Sequence, residues 1–432
     1  LDEGSADPSC DFELACVESG PFDLIAQGVA NGFSNANPAG IIGAYDLAGP
    51  HNGNFNAVIF GSFTSTGVNG SGDSEGRLAV QNNFTAGTGF TVGGGAPSGT
   101  GGLNAPFGWD NLVVGGDMDY DVPGLRGNVL YNNNVGANLP GFIGLGSAGL
   151  YRNYTPDVNW SAAEAYFQTL SSDYSPANLL AECTGVVNTG TVTDNGGGNF
   201  QLDAQNAYGV VVFELPSLSA GQSFDFLNTA NAAAIIVNVD GTSPTFSGGS
   251  ITLDGSPPSA PYAGSDKEFI EKTLWNFYSA TSFSLSSYAV FGSVLAPNTT
   301  STVTLSGGQI NGQSVFGSDV TQSNAFEFHN FCFTPDMDNL LNTCYRIGNL
   351  VFMDNNNDGI ASSSEMGIAG VLVHLYRDSD GTAGPSSGDA LLTTTNTDAN
   401  GKYSFDDLAP GAYYVLIPDD QSGANTPTAL DN

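Results

Sequence analysis

Short apolar runs recur along the chain and close on the same kind of corner. FNAVIFGSF (55–63), GRLAVQNNF (76–84), DNLVVGGDMDY (110–120) and GNVLYNNNV (127–135) alternate apolar with small or polar residues, reach Asn or Gly, and drop into a polar turn. The unit returns as AAIIVNVDG (233–241), YAVFGSVLAPN (288–298) and GQINGQSVFGSDV (308–320). Alternation with a period near two predicts strands, and Asn and Gly suit tight corners because they tolerate positive φ. Repetition of such a unit predicts a β-solenoid, in which each coil stacks on the one before. A β-sandwich or jelly roll has similar strands and turns, so the pattern alone leaves both open.

One segment departs from the β rhythm. TPDVNWSAAEAYFQTLSSDYSPANLLAE (155–182) reads as helix: Thr155 can cap it, Pro156 suits its first turn, and Asp157 favours the positive end of its dipole. Val158, Ala162, Tyr166 and Leu170 fall on one face at helical spacing, and SPANLLAE repeats the cap-then-Pro start. Such a helix fits the flank of a solenoid.

Further on, TPDMDNLLNTCYR (334–346) reads as a linker, and GVLVHLY (370–376) and GAYYVLIP (411–418) alternate as strands of a second module. Within that module DNNNDGIASSSE (354–365) fits the calcium-loop pattern D-x-[DN]-x-[DN]-G-x5-E. The loop needs a sharp turn that presents oxygens at its positions 1, 3, 5, 7 and 12, and it does not need helices around it. Asp354, Asn356 and Asp358 would supply side-chain oxygens, Ile360 its carbonyl, and Glu365 a bidentate carboxylate, with Gly359 permitting the turn. Asp378, Asp380, Asp389 and Asp398 are candidates for a second site, although their irregular spacing equally fits hairpin turns.

Composition sharpens this picture. With 432 residues, two or three domains are expected. Charged residues make up 12%, and 43 acids against 8 bases give a net charge of −35. That charge disfavours nucleic acid and anionic membrane surfaces and attracts cations, so bound Ca2+ would offset self-repulsion; a salt-rich habitat would also explain it. With 40% hydrophobic residues the chain is not a disordered acidic tail. No apolar run is long enough to span a bilayer, and LDEGSADPSC at the start shows no leader pattern. Cysteine spacing suggests the local pairs Cys10–Cys16 and Cys332–Cys344, leaving Cys183 alone, although sequence does not fix connectivity. The HNFC run with Cys344 lacks a fourth ligand for zinc. Sequons at Asn69, Asn83, Asn153, Asn159 and Asn298 permit glycosylation.

NAVIFGSFTSTGVNGSGDSEGRLAVQNNF, the helical segment, and LWNFYSATSFSLSSYAVFGSVLAPNTTSTVTLSGGQINGQSVF together resemble the choice-of-anchor A family. These are adhesive domains of microbial surface proteins, similar in turn to ice-binding β-solenoids. The resemblance covers roughly 20–334 and implies extracellular display rather than a reaction. The order IGNLVFM, calcium loop, GIAGV, TDANGKYSF, LAPGAYY resembles the calcium-binding B-type repeat of serine-aspartate repeat adhesins, a small Ig-like β-sandwich, over about 347–418. It implies more than one ion per module. Related sandwiches carry a Lys–Asn isopeptide bond from an early-strand Lys; Lys402 is the sole Lys of this module, so no such bond is expected.

The expected organisation is an N-terminal segment 1–19, a solenoid domain 20–334, a linker 335–346, a calcium-binding sandwich 347–420 and a tail 421–432. The expected function is a non-enzymatic cell-surface or secreted adhesive protein on a calcium-stiffened stalk. Its partner is either a host or matrix ligand or other copies of itself in a fibre, with strand addition ordering the polar ends. The alternatives are a polysaccharide-acting enzyme, for which DMDYD (117–121) would supply carboxylates, and an ice-binding protein. The second requires a regular Thr-rich face, and no sustained T-x-T array runs along the sequence. GPSSG (384–388) and GLGSAG (144–149) match nucleophile-elbow and dinucleotide patterns without the elements those patterns need. His51, His329 and His374 lie in separate elements.

Overall fold

The computed structural model describes residues 21–22, 55–66, 72–87, 89–93, 110–120, 128–132, 151–153, 158–179, 186–342, 344–378, 386, 389–408 and 411–418. The chain forms two compact units, residues 1–179 with 188–337, and 180–187 with 338–432.

The first unit is a β-solenoid wound in two stacks. Its 11-stranded sheet starts in the middle, at Ala57–Ile59, and runs outward through Leu78–Val80, Asp110–Val114 and Asn128–Tyr131 to Tyr151–Asn153. After the helical segment the chain resumes at the other edge, with Val187–Thr189. It then returns inward through Gly209–Leu215, Ala232–Val239, Thr273–Asn276 and Ser293–Ala296 to Ser314–Phe316. There Ser314 pairs with Ala57 and Phe316 with Ile59, joining the last coil to the first in a parallel seam. In-register parallel pairing from coil to coil excludes the sandwich or jelly roll for this unit, because those folds pair their strands antiparallel.

A second face is built from Thr245–Ser247, Ser284–Ser286, Val303–Ser306, Val320–Ser323, Phe63–Ser65, Phe84–Ala86 and Met118–Tyr120. The strands Ser284–Phe291 and Val303–Asn311 then bend onto a third face, with Glu327–His329, Asp73–Ser74 and Thr91–Val92. The bend requires glycine: Gly307 and Gly308 take φ of 62° and 81°, and a Cβ on Gly308 would collide with the backbone of Tyr288.

Inward positions stack by kind along the solenoid. Phe63 lies parallel to Phe84 at 5.2 Å, and Trp275 is enclosed by Phe224, Phe226 and Phe246 at 5.5, 5.9 and 5.3 Å. Helix α1 spans Trp160–Asp173 and covers one flank. The predicted helix was longer and differently capped. Asn159, rather than Thr155, caps it by accepting from the Ala162 amide at 3.2 Å. Its buried stripe is Ala163, Phe167 and Ser171, one residue on from the predicted Ala162–Tyr166–Leu170 face. Phe167 sets this rotation by packing on Phe60 and Phe22 at 6.1 and 5.9 Å.

The second unit is a small Ig-like β-sandwich. Tyr345–Leu350 pairs antiparallel with Lys402–Leu408, and Leu372–Arg377 pairs antiparallel with Ala390–Asn396 and Tyr413–Leu416. Val371, Val373, Leu375, Phe405 and Leu408 form its core. Helix α2 is Ser265–Lys272 in the solenoid, and the segment read as a linker holds a short helix, α3, Met337–Asn342.

Candidate functional site

The loop 354–365 leaves the sandwich through a narrow neck. Phe352 bridges Gly367, and the Met353 amide donates to the Met366 carbonyl at 2.9 Å. Inside the neck the acidic side chains turn inward. Asp354 accepts from the amides of Asp358 (3.2 Å) and Gly359 (2.8 Å), Asn356 Oδ1 from Asp358 N (3.0 Å), and Asp358 Oδ1 from Ile360 N (2.8 Å). Glu365 closes the far end, taking Asn355 N and Ser362 N on its two oxygens at 2.9 Å each. Asn357 and Gly359 take the left-handed φ of 57° and 73° that this winding requires. The Gly359 amide first, helped by those of Asp358, Asn357 and Asn356, holds the Asp354 carboxyl below the usual carboxylate range, against an opposing effect of burial second only to the Gly359 bond. All five predicted residues of the first site therefore lie in one turn, with side-chain oxygens of Asp354, Asn356, Asp358 and Glu365 turned onto its own amides. That donor set fits a hard divalent cation such as Ca2+.

The second predicted set is differently placed. Asp398 binds its own hairpin turn through the amides of Lys402 and Asn400 at 2.9 and 2.8 Å, which keep its carboxyl below the usual range. Asp389 accepts from Ser386 N at 2.6 Å and faces the Tyr414 hydroxyl at 3.4 Å. The Asp378 amide donates to the Ala412 carbonyl at 3.1 Å, and Asp380 lies outside the described residues. Among the described residues no three His, Cys, Asp or Glu side chains gather as a metal cage, so any ion in this module draws on Asn and carbonyl oxygens as well.

The remaining candidates sort by environment. His329 is buried with its ring nitrogens against Asn311 and Glu327, and Cys332 and Cys344 are each disulfide-bonded, which removes the zinc reading. Asp119 lies half-buried between the core residues Met118 and Tyr120 in the strand Met118–Tyr120, and Asp121 of DMDYD lies outside the described residues. Asn83 Oδ1 accepts from Asp117 N, Asn159 is the helix cap, and Asn298 Nδ2 donates to the Tyr278 carbonyl. Cys10, Cys16, Cys183, Asn69, His51, GLGSAG, both polar ends and the side chain of Asn153 fall outside the described residues.

One feature of the second solenoid face is invisible along the sequence. Thr245, Ser284, Thr304, Thr321, Thr64 and Thr85 are consecutive register partners across six parallel strands. Ser247, Ser286, Ser306 and Ser323 form a second row beside them. The intervening Phe246, Leu285, Leu305, Gln322 and Phe63 point inward and are buried, so both hydroxyl rows face outward. Thr245 and Ser284 touch at 2.9 Å. A hydroxyl array, mostly Thr in one row and Ser in the shorter one, therefore exists in space, assembled from strands of both stacks.

A family model described as "Putative Ice-binding-like adhesive domain" matches residues 49–330, and one described as "SdrD B-like domain" matches 345–431. The C-terminal region is 41% identical over 88 residues to a fibrinogen-binding protein of Staphylococcus epidermidis, covering 20% of this chain and 7% of that protein. It is 38% identical over 86 residues to serine-aspartate repeat-containing protein C of Staphylococcus aureus (19% and 8%) and 38% identical over 79 residues to colossin-B of Dictyostelium discoideum (18% and 2%). The chain thus spans less than a tenth of the length of these relatives. Among solved structures, an ice-binding protein from the Antarctic ascomycete Antarctomyces psychrotrophicus aligns over 64% of this chain and 94% of its own, at 13% identity and a TM-score of 0.28. Among the described residues no helix is long and apolar enough to cross a membrane.

Proposed function

Because the chain belongs, through residues 49–330, to the ice-binding-like adhesive domain family, we propose that it is a non-enzymatic extracellular adhesin, displayed at a cell surface, whose sandwich is a calcium-stiffened stalk. The observation that carries the stalk reading is the loop closed on itself by Asp354 and Glu365. When bound, Ca2+ would supply a compact double positive charge at that turn. Asp354, Asn356, Asp358, the Ile360 carbonyl and Glu365 would hold it, and its charge would offset the mutual repulsion of the three carboxylates. A host or matrix protein is the partner class that the similarity to a fibrinogen-binding protein supports. Two measurements test the reading. Calorimetry with millimolar calcium and then with chelator should lower the sandwich transition alone, by about 4 kcal/mol for a site with calcium at a thousand times its Kd. Surface plasmon resonance against fibrinogen and other matrix proteins should show saturable binding; a transition unmoved by chelator removes the stalk, and no binding removes the adhesin.

The finer form of this reading is a repeating fibre. The sandwich strand Ala390–Asn396 supports it: the strand lies at a sheet edge, carries no charged residue, and exposes Leu391 and Leu392 at 48% and 47%. A second reading, ice binding, is favoured by the two hydroxyl rows. Parallel strands place such hydroxyls roughly 4.8 Å apart across the sheet and about 6.6 Å apart along it, a regular grid able to order water. Thermal hysteresis that disappears in Thr321→Tyr would establish it, and its absence in the unaltered chain would dismiss it.

A further inference from the structure

The seam between the first and last coils is held mostly by neutral groups. Asn56 Nδ2 donates to the carbonyls of Gly312 and His329 at 3.0 and 3.1 Å, and Ser65 Oγ donates to Gln322 Oε1 at 2.6 Å. On the third face the chemistry changes. Strand Asp73–Ser74 of the first coil pairs in parallel with Glu327–His329 of the last, with Asp73 directly opposite Glu327. Glu75 follows on the first coil and accepts from the Asn330 amide at 3.2 Å. Three carboxylates from both sides of the seam therefore meet within a few residues.

His329 compensates one of them. Asn311 Oδ1 also accepts from Gln309, and Asn311 Nδ2 donates to the Val290 carbonyl, which fixes the amide orientation. His329 Nδ1, 2.7 Å from that oxygen, must then carry a hydrogen, and Nε2 lies 3.1 Å from Glu327 Oε2. An imidazole bonded to two acceptors is protonated. Burial pulls His329 down, but the Glu327 hydrogen bond and the charges of Glu75, Glu327 and Asp73 leave it raised above its ordinary value. Asp73 has no such partner: its Oδ1 is buried without a hydrogen bond. Burial first, then Glu327 and Glu75, push its carboxyl up to about 7, against a lowering by His329. Of the other groups around it, Thr91 opposite Asp73 and Gln309 opposite Glu327 do not titrate. Tyr262, bonded to Gln309, is held above its usual range chiefly by burial and so stays neutral, with Asp266 of α2 beyond it. Arg77 is stacked over the ring of Phe55 at 4.2 Å.

We propose that the seam is a proton-operated clamp: Asp73 is protonated while the first and last coils are locked, and its ionisation beside Glu327 loosens them. The folded chain keeps this proton at pH values where the unfolded chain has lost it. The clamp's contribution to stability is therefore complete below the ordinary carboxyl value of 3.8 and is lost as pH rises towards about 7. His329, also raised, adds a loss of the same sign as pH rises through its folded value.

The test is thermal unfolding of the full chain from pH 5 to 8, with hydrogen exchange of the seam segments 72–77 and 326–330 measured against strand 209–215. The solenoid transition is expected to fall by roughly 5–10 °C over that range. Asp73→Asn, which cannot ionise, should remove at least half of the fall and melt above the unaltered chain at pH 8. Glu327→Gln should move the midpoint of the fall to lower pH. Exchange in the seam, corrected for its intrinsic pH dependence, should accelerate relative to strand 209–215 in the unaltered chain, a readout that needs no variant to fold. An Asp73→Asn protein with the original pH profile, or seam exchange that keeps its ratio to strand 209–215, overturns the clamp.

Discussion

The solenoid buries Trp275 among Phe224, Phe226 and Phe246 and repeats such contacts coil after coil, whereas the sandwich closes on five buried residues, Val371, Val373, Leu375, Phe405 and Leu408. Both units share one acidic composition. The solenoid has enough apolar area to tolerate a partly buried carboxyl at its seam, where Asp73 shifts towards its neutral form. In the sandwich, Asp354 and Asp398 are held low by the amides of their own turns. A small core contributes little beyond the entropy cost of folding, so an external ligand matters more there. Stability should therefore come from packing in one unit and from an ion in the other.

The sharpest way to break that contrast is to damage each unit where its own stability resides. Phe246 sits between Trp275, Phe277, Phe283 and Tyr288 at 5.3, 6.0, 6.0 and 5.0 Å. Phe246→Ala should cost about 3–5 kcal/mol, because it leaves a cavity that four rings cannot collapse into. Calorimetry should show the upper, calcium-independent transition falling while the sandwich transition stays in place. A comparable loss in the sandwich transition would mean that the two units do not unfold independently.

The reciprocal change is Glu365→Gln. It keeps the side chain's length but removes the charge that takes Asn355 N and Ser362 N and would bind the ion with both oxygens. A hundredfold weaker site costs about 2.7 kcal/mol at saturating calcium. The loss should appear in the sandwich alone and should vanish when wild type and variant are compared in chelator. A penalty that persists in chelator would assign Glu365 to loop structure rather than to metal.

How much of this was legible in the sequence follows from where the partners lie along the chain. The closed turn of the candidate calcium loop was readable because its residues are contiguous, from Asp354 to Glu365. The solenoid strands were readable because alternation is local. The seam was not, since Ala57 finds its partner at Ser314 and Asp73 at Glu327 only once two stacks have wound towards each other. The hydroxyl rows escaped for the same reason: Thr304, Thr321, Thr64 and Thr85 are neighbours in space but scattered in sequence. The helix was found but misregistered, because its cap and buried stripe depend on where Phe60 and Phe22 stand.

The smallest expected change in stability carries the fibre reading. Leu391 lies in a sandwich edge strand and is half exposed, so Leu391→Lys should alter unfolding by no more than about 0.5 kcal/mol. Its effect on association should be much larger. A lysine on an uncharged edge strand adds a desolvation cost to every pairing with another strand, and natural sheets use that device to stay monomeric. If copies assemble through this edge, light scattering and electron microscopy should show filaments for the unaltered chain with calcium and monomers for Leu391→Lys. Filaments that survive the substitution would move the contact to the solenoid, leaving the sandwich as a spacer. Monomers in both would confine the proposal to a single-chain adhesin, with the solenoid carrying recognition and the sandwich serving as its stalk.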